Sequence, residues 1–243
     1  MESFSQTIQT IKHIAVVIPY KDTPSRLLEV LSDINQMLPP IQFPNTSIYL
    51  FDDGSHTPIL QNSLHSNIHL YRSNNNRGYG AVQKQAFDFI LNHSNAELVL
   101  LLHGDNQYHL EDLLHIALSL DTHDFGLLNR MTNSQINHNH PFLRRYSNHV
   151  LTNIVNFRMK TNYQDLHSGG RVYTSQILKK IPYHLFADDF FFDQQMLLSL
   201  IQQGASGLEY PIKPDYAIGS SSIPYIKASK YALQCLLAAI TIK

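Results

Sequence analysis

The chain has 243 residues, 43% of them hydrophobic and 15% charged, and eighteen Lys and Arg against nineteen Asp and Glu leave a formal net charge of −1. So apolar and balanced a chain is not disordered, and it lacks the basic excess expected of nucleic-acid binding. With a single cysteine, no apolar run near the length of a membrane span and no secretory signal in MESFSQTIQTIKH, the expected setting is a reducing cytoplasm.

In chain order, His13 to Ile18 (HIAVVI) is a short β-branched run ended by Pro19, hence a buried strand. Ser25 to Met37 has helical spacing, with Leu27, Leu28, Leu31 and Ile34 on its apolar face. Ser47 to Phe51 and Asn67 to Tyr71 read as strands, and Gly78 to Asn92 as a helix with Ala81, Val82, Ala86, Phe89 and Ile90 inward. Glu97 to Leu102 (ELVLLL) is the most apolar strand, followed by a helix over Leu110 to Leu120 and a strand over Asp124 to Leu128. The second half is less regular. Phe142 to Met159 reads as a helix carrying Leu143, Tyr146, Val150, Leu151, Ile154 and Val155, together with Arg144, Arg145 and Arg158. A loop from Asp165 to Arg171 leads to a short strand at Val172-Tyr173. Then come a helix over Asp189 to Gln203 capped by Asp188, an edge strand over Gly207 to Ile212 and an apolar helix over Ser229 to Ile242.

Strands alternating with helices predict an α/β fold with a mostly parallel sheet covered on both faces. Ligands of such sheets sit at the carboxyl ends of the strands. Those ends carry Pro19-Tyr20-Lys21-Asp22, Asp52-Asp53-Gly54-Ser55, Asn74 to Gly80 and His103-Gly104-Asp105-Asn106-Gln107. Asp105 follows the most buried strand. A hard cation such as Mg²⁺ or Mn²⁺ takes oxygen ligands, often only one or two of them from protein. Asp105 and Gln107 fit that, while His103 suits Mn²⁺ better than Mg²⁺. The bland alternative has Asp105 capping the helix near Leu110. Asp52-Asp53 is either an ordinary turn or a pair of acids for a base edge and a ribose. Asn74 to Gly80 is either a flexible loop or a glycine-permitted close approach to a ligand at a helix start. As a dinucleotide fingerprint Gly78-Tyr79-Gly80 is weak, because Gln83 stands at the third glycine position. Cys235 reads as inert core. His138, His140 and His149 read as surface residues.

In order, IAVVIPYKD, YLFDDGS, NNNRGYGAVQKQAF and LVLLLHGDNQYHLEDL resemble family 2 of the inverting glycosyltransferases, which have the GT-A fold. LRRYSNHVLTNIVNF, DLHSGGRVY and DDFFFDQQMLLSL followed by GLEYPIKPDY extend the likeness, nearest to the polyprenyl- and dolichyl-phosphate sugar synthase branch. The resemblance implies one GT-A domain over 1–243. Residues 13–130 would form its nucleotide-sugar half, 131–216 its acceptor half, and 217–243 a tail and helix. It implies a UDP- or GDP-sugar donor held by Pro19, Tyr20, Asp22, Asp52, Asp53, Gly78, Gly80 and Asp105. Lys21 stands where Asn is usual. The family's Asp-x-Asp-x-Gln metal motif becomes His103, Asp105 and Gln107 here.

The implied reaction is metal-dependent transfer with inversion, the cation acting as a Lewis acid on the leaving diphosphate. A polyprenyl phosphate acceptor, already anionic, would need arginines rather than a base. Arg130 and Arg171 match the family's arginines, Arg144, Arg145 and Ser168 are further candidates, and Gly170 replaces the usual Phe. Arg144 and Arg145 equally suit a solvated helix face. A glycan or protein hydroxyl acceptor would instead need a carboxylate base, first Asp193 and then Asp189. A catalytically silent nucleotide-sugar binding module is the rival from another class. The last helix, with Lys227, Lys230 and Lys243 beside Leu233, Leu236, Leu237 and Ile240, permits core packing, a homodimer or peripheral contact with the inner face of a membrane.

Overall fold

A computed structural model describes residues 13–38, 45–131, 142–212 and 225–241. The chain is an α/β protein built on one seven-stranded sheet in the order β3-β2-β1-β4-β6-β5-β7. The strands are β1 (Ile14–Tyr20), β2 (Thr46–Asp52), β3 (Ile68–Arg72), β4 (Leu98–Leu101), β5 (Phe125–Asn129), β6 (Arg171–Thr174) and β7 (Gly207–Pro211). The longer helices are α1 (Pro24–Met37), α2 (Tyr79–His93), α3 (Leu110–Ser119) and α4 (Phe142–Met159). After the single turn α5 (Ser175–Leu178) come α6 (Phe191–Gln202) and α7 (Tyr225–Thr241).

Why the strand runs are apolar throughout is visible in their alternation. Ile14, Val16 and Ile18 of β1 pack into a cluster with Leu27, Val30 and Ile34 of α1 and Leu113 of α3. The intervening Ala15 and Val17 pack on the other side with Val82, Ala86 and Phe87 of α2 and Met196 of α6. A strand's side chains alternate between faces, so a sheet covered on both sides needs both sets apolar. The expected apolar face of α1 is off by one position. Val30 is buried, whereas Leu28 is 67% exposed, because the face runs 27, 30, 31, 34. Among the described side chains of α4 the buried apolar residues are Leu151 and Val155, and Tyr146 and Val150 are exposed.

Strands β1, β2, β3 and β4 run parallel. Strand β6 lies antiparallel between β4 and β5, with Arg171 opposite both Leu101 and Leu127. Strand β6 therefore begins where β4 and β5 end. The loop from Asp165 to Gly170 is delivered to the same sheet edge as the four polar strand ends.

Helix α6 starts later than its sequence suggests, and Asp188 does not cap it. Its N-cap is Phe190, with no side-chain cap bond. Asp188 is used elsewhere: its carbonyl accepts the Gly80 N–H at 2.8 Å, and its carboxylate takes the Lys84 ammonium at 2.8 Å. Helix α7 packs on α4 and α6. Cys235 is buried there, with its thiol pushed up to about 12 by burial. Leu233 and Leu237 on the same helix remain exposed. No helix among the described residues is long and apolar enough to cross a membrane. His138 and His140 lie outside the described residues, as do the side chains of Arg144, Arg145, Lys227, Ile240 and Lys243.

Candidate functional site

The acid pair after β2 is braced from within. Asp52 accepts the Ser55 N–H at 2.8 Å and the Arg72 guanidinium at 3.1 Å, and Arg72 also donates to the Ser55 carbonyl at 2.7 Å. Asp53 accepts the N–H groups of Arg77 at 2.7 Å and Gly78 at 3.0 Å. Both acids are buried. Burial of adjacent carboxylates is tolerated because each oxygen has a donor. The pair thus fixes the turn 52–55 and the loop 73–78 in one piece. Tyr20 is buried beside it. Asp22, at the end of β1, accepts the His56 N–H at 2.7 Å and the Lys21 ammonium at 3.0 Å. Those donors hold its carboxyl down to about 2.

The two glycines at the start of α2 have a structural reason. A Cβ at Gly78, where φ is +104°, would sit 2.4 Å from the Asp188 carbonyl oxygen. One at Gly80 would sit 2.4 Å from that of Ala187. The close approach that glycine permits here is to the segment before α6. Pro19 holds the neighbouring strand end, its carbonyl accepting the Gly104 N–H at 3.2 Å.

After β4, Asp105 does not cap α3. The N-cap of that helix is His109, without a side-chain cap bond. Asp105 is half-buried, and its one hydrogen bond among the described residues is from the Gln107 N–H at 3.3 Å. The turn is tight, with Asn106 at φ +57°. His103 lies against Gly169, where a Cβ would come within 2.4 Å of its Cε1. The Tyr108 ring meets it edge-on at 5.3 Å. Tyr108 and Leu128 also fill the space beside Gly170, 2.9 Å and 2.5 Å from a Cβ there. That accounts for a glycine where the family's Phe is expected.

Asp193, in the first turn of α6, is drawn into this cluster. Its Oδ2 accepts the Tyr79 hydroxyl at 3.0 Å and its Oδ1 the Gln83 side-chain amide at 3.0 Å. The Tyr79 oxygen is also 2.9 Å from Nε2 of His103. Arg171 donates to the Asp193 carbonyl at 2.8 Å and to the Ser168 carbonyl at 2.9 Å, with its guanidinium 4.0 Å from the Asp193 carboxylate. Burial opposes the Arg171 charge, but the facing Asp193 carboxylate more than offsets it and raises its pKa. Burial, reinforced by Asp193, pushes the Tyr79 phenol well above its ordinary value.

On the far side, Arg130 closes its fork on buried Asp165, with Nε 2.7 Å and Nη2 2.9 Å from the two carboxylate oxygens. Burial alone would raise the Asp165 pKa, and the Arg130 charge overrides it. His167 pairs through Nδ1 with the Tyr231 hydroxyl of α7 at 2.9 Å. Burial, helped by Arg130 and Arg171, depresses its pKa to about 4. The Ser168 hydroxyl is buried without a hydrogen-bond partner among the described residues. Arg130 and Arg171, the two arginines expected at an acceptor phosphate, are therefore both committed to internal partners.

The structure brings His103, Asp105, Ser168, Arg171 and Asp193 to one sheet edge. Tyr79, Gln83, Asp165, His167 and Tyr231 join them there. The sequence assigned no role to these five. A tyrosine between two glycines carries no sign of a partner 114 residues away, although Asp165 stood within the DLHSGGRVY motif. Among the described residues no three His, Cys, Asp or Glu converge as a ready metal cage. A cation bridging a diphosphate needs only one or two protein ligands. Asp105 with its largely unengaged carboxylate, and His103 with one ring nitrogen unbonded among the described residues, fit that demand.

No curated protein matches the chain. Among solved structures, mannosyl-3-phosphoglycerate synthase from Rubrobacter xylanophilus superposes with a TM-score of 0.71 at 12% identity, covering 98% of this chain and 75% of that one. Glucosyl-3-phosphoglycerate synthase from Mycobacterium tuberculosis, in complex with Mn²⁺, uridine diphosphate and glucosyl-3-phosphoglycerate, superposes at 0.68 and 13% identity, covering 98% and 84%. At such identities the likeness is one of fold. The model of glycosyl transferase family 2 matches residues 15–182, which include the acid pair, the β4 strand-end motif and Arg171. The chain is a glycosyltransferase and belongs to glycosyl transferase family 2.

Proposed function

We propose that the chain transfers a sugar, with inversion, from a uridine diphosphate-linked donor to an acceptor hydroxyl, with a divalent cation at the β4 strand end. One observation carries this reading: the Asp193 carboxylate is held one phenol oxygen away from His103 of the metal motif, by bonds of 3.0 Å and 2.9 Å. That arrangement puts a candidate general base beside the candidate metal position. Asp105, His103 and Gln107 would hold Mn²⁺ or Mg²⁺, which as a Lewis acid stabilises charge on the departing diphosphate. Pro19, Tyr20, Asp22, Asp52 and Asp53 form the donor edge, and Gly78 and Gly80 seat the start of α2 against the 187–188 segment behind it.

Asp193 is oriented for its task. Tyr79 and Gln83 each use one lone pair of one oxygen, and a carboxylate has about four acceptor sites, so a hydroxyl proton still has a place to go. Such a base contributes about 10²- to 10⁴-fold. Arg171 keeps the carboxylate in a fixed field without donating to its oxygens.

A polyprenyl phosphate acceptor is the second reading. It is favoured by an exposed apolar surface of Tyr146, Val150 and Phe157 on α4 and Leu233 and Leu237 on α7, and weakened by the internal pairing of Arg130 and Arg171.

The test is thermal stabilisation and slow donor hydrolysis with UDP- and GDP-sugars and Mn²⁺ or Mg²⁺. The expected result is a metal-dependent shift with a UDP-sugar, and release of UDP that Asp105→Ala abolishes. A protein that no nucleotide sugar stabilises refutes the reading. Asp193→Asn decides the acceptor: it removes transfer to a hydroxyl and spares transfer to a lipid phosphate.

A further inference from the structure

Tyr79 has one proton and two polar neighbours. A carboxylate only accepts, so the bond of 3.0 Å to Asp193 Oδ2 takes the Tyr79 proton. The bond of 2.9 Å to His103 must then run the other way, from Nε2–H of the imidazole to the phenol oxygen. In a neutral imidazole only one nitrogen carries a proton. Nδ1 is left with its lone pair, and it has no hydrogen-bond partner among the described residues.

The ring is held so that the two nitrogens do not exchange. Gly169 lies against Cε1, and Tyr108 and Tyr79 meet the ring edge-on at centroid distances of 5.3 Å and 5.5 Å. Tyr79 is itself held, stacked on Phe190 at 5.0 Å. Behind it, Gln83 fixes Asp193.

We infer that Tyr79 is a positioning residue which, backed by Asp193, locks His103 in the Nε2–H tautomer and presents Nδ1 to the divalent cation as a nitrogen ligand beside Asp105. The inference rests on the metal-dependent reading above and deepens it. A histidine ligand whose second nitrogen donates to an oriented acceptor has the usual support of a metal-bound imidazole. One nitrogen donor also tilts the site toward Mn²⁺ over Mg²⁺.

The test is pulsed electron paramagnetic resonance of Mn²⁺ bound with UDP to the full chain labelled with ¹⁵N-histidine, together with Mn²⁺ affinity by calorimetry. A ¹⁵N coupling is expected in the parent protein. Tyr79→Phe keeps the ring and its stacking, so it should retain the fold but weaken Mn²⁺ binding by about 10-fold or more, the usual effect of losing such an outer partner. His103→Asp should abolish the coupling, keep Mn²⁺, and make affinity insensitive to a further Tyr79→Phe change. Mn²⁺ and UDP bound with no ¹⁵N coupling overturns the inference and removes His103 from the proposed ligands, but leaves metal-dependent sugar transfer standing. An unchanged affinity in Tyr79→Phe overturns the role of Tyr79. No binding of Mn²⁺ with UDP at all overturns both.

Discussion

Asp165→Ala should be among the most damaging single substitutions in the chain, although Asp165 is no candidate ligand. Its carboxylate accepts four hydrogen bonds, from the Arg130 N–H at 3.1 Å, Arg130 Nε at 2.7 Å, Arg130 Nη2 at 2.9 Å and the His167 N–H at 3.2 Å. The Asp165 side chain is 0% exposed and that of Arg130 10%. Removing one member of a buried, hydrogen-bonded ion pair leaves the other charge uncompensated and costs about 3–5 kcal/mol. For a domain of this size that is a fall in Tm of roughly 6–20 °C. Urea unfolding of the parent protein, the two single Ala variants at 130 and 165, and the double variant would measure it. The double variant should cost less than the sum of the singles by about 2 kcal/mol, because it strands no charge. A loss below about 1 kcal/mol in Asp165→Ala, or strict additivity, refutes the reasoning. The pH sign is definite. The Asp165 pKa is lowered by Arg130, so its contribution is complete above the ordinary carboxylate pKa and is lost as pH falls below it. Activity should fall as well, since Asp165 opens the loop that lays Gly169 against His103.

Gly80→Ala should destabilise the protein by about 1–3 kcal/mol, read as a drop in Tm, because its Cβ would meet a backbone carbonyl at 2.4 Å that no side-chain rotation can move. A variant as stable as the parent would show that the 187–188 segment yields freely. His167 has its pKa depressed from 6.5 to about 4. The unfolded chain therefore binds a proton between those values that the folded chain refuses, and stability falls as pH drops through that window. Because the residue keeps some solvent contact, the loss is about 1–3 kcal/mol. It should show as a steeper decline of Tm with acid in the parent than in His167→Gln, and parallel curves would exclude it.

Much of this was legible in the chain. The apolar runs HIAVVI and ELVLLL are strands because a sheet covered on both faces needs both alternating sets of side chains apolar, and that signal survives without knowledge of the partners. The strand-end motifs were legible for the same reason: a short run that must stay buried fixes where the chain emerges. Where one face of a helix is buried, the sequence was less reliable. Leu27 and Leu28 look alike in a helical pattern, and only packing against the sheet decides that Leu28 points outward. Asp188 looks like a cap by its position, yet its backbone is claimed by Gly80 and its carboxylate by Lys84.

The sequence by itself determined the α/β class, the sheet edge that carries the candidate site, and the acids that stand on it. It also carried the order of motifs that marks the family. Only the tertiary structure decided what those groups hold. Asp52 and Asp53 are answered by Arg72 and by the 77–78 backbone, Arg130 is spent on Asp165, and Asp193 reaches His103 through Tyr79. The reason is physical. Burial and strand formation are dictated by local patterns of a few residues, whereas a hydrogen bond across 114 positions is settled only when α2 and α6 meet over the sheet.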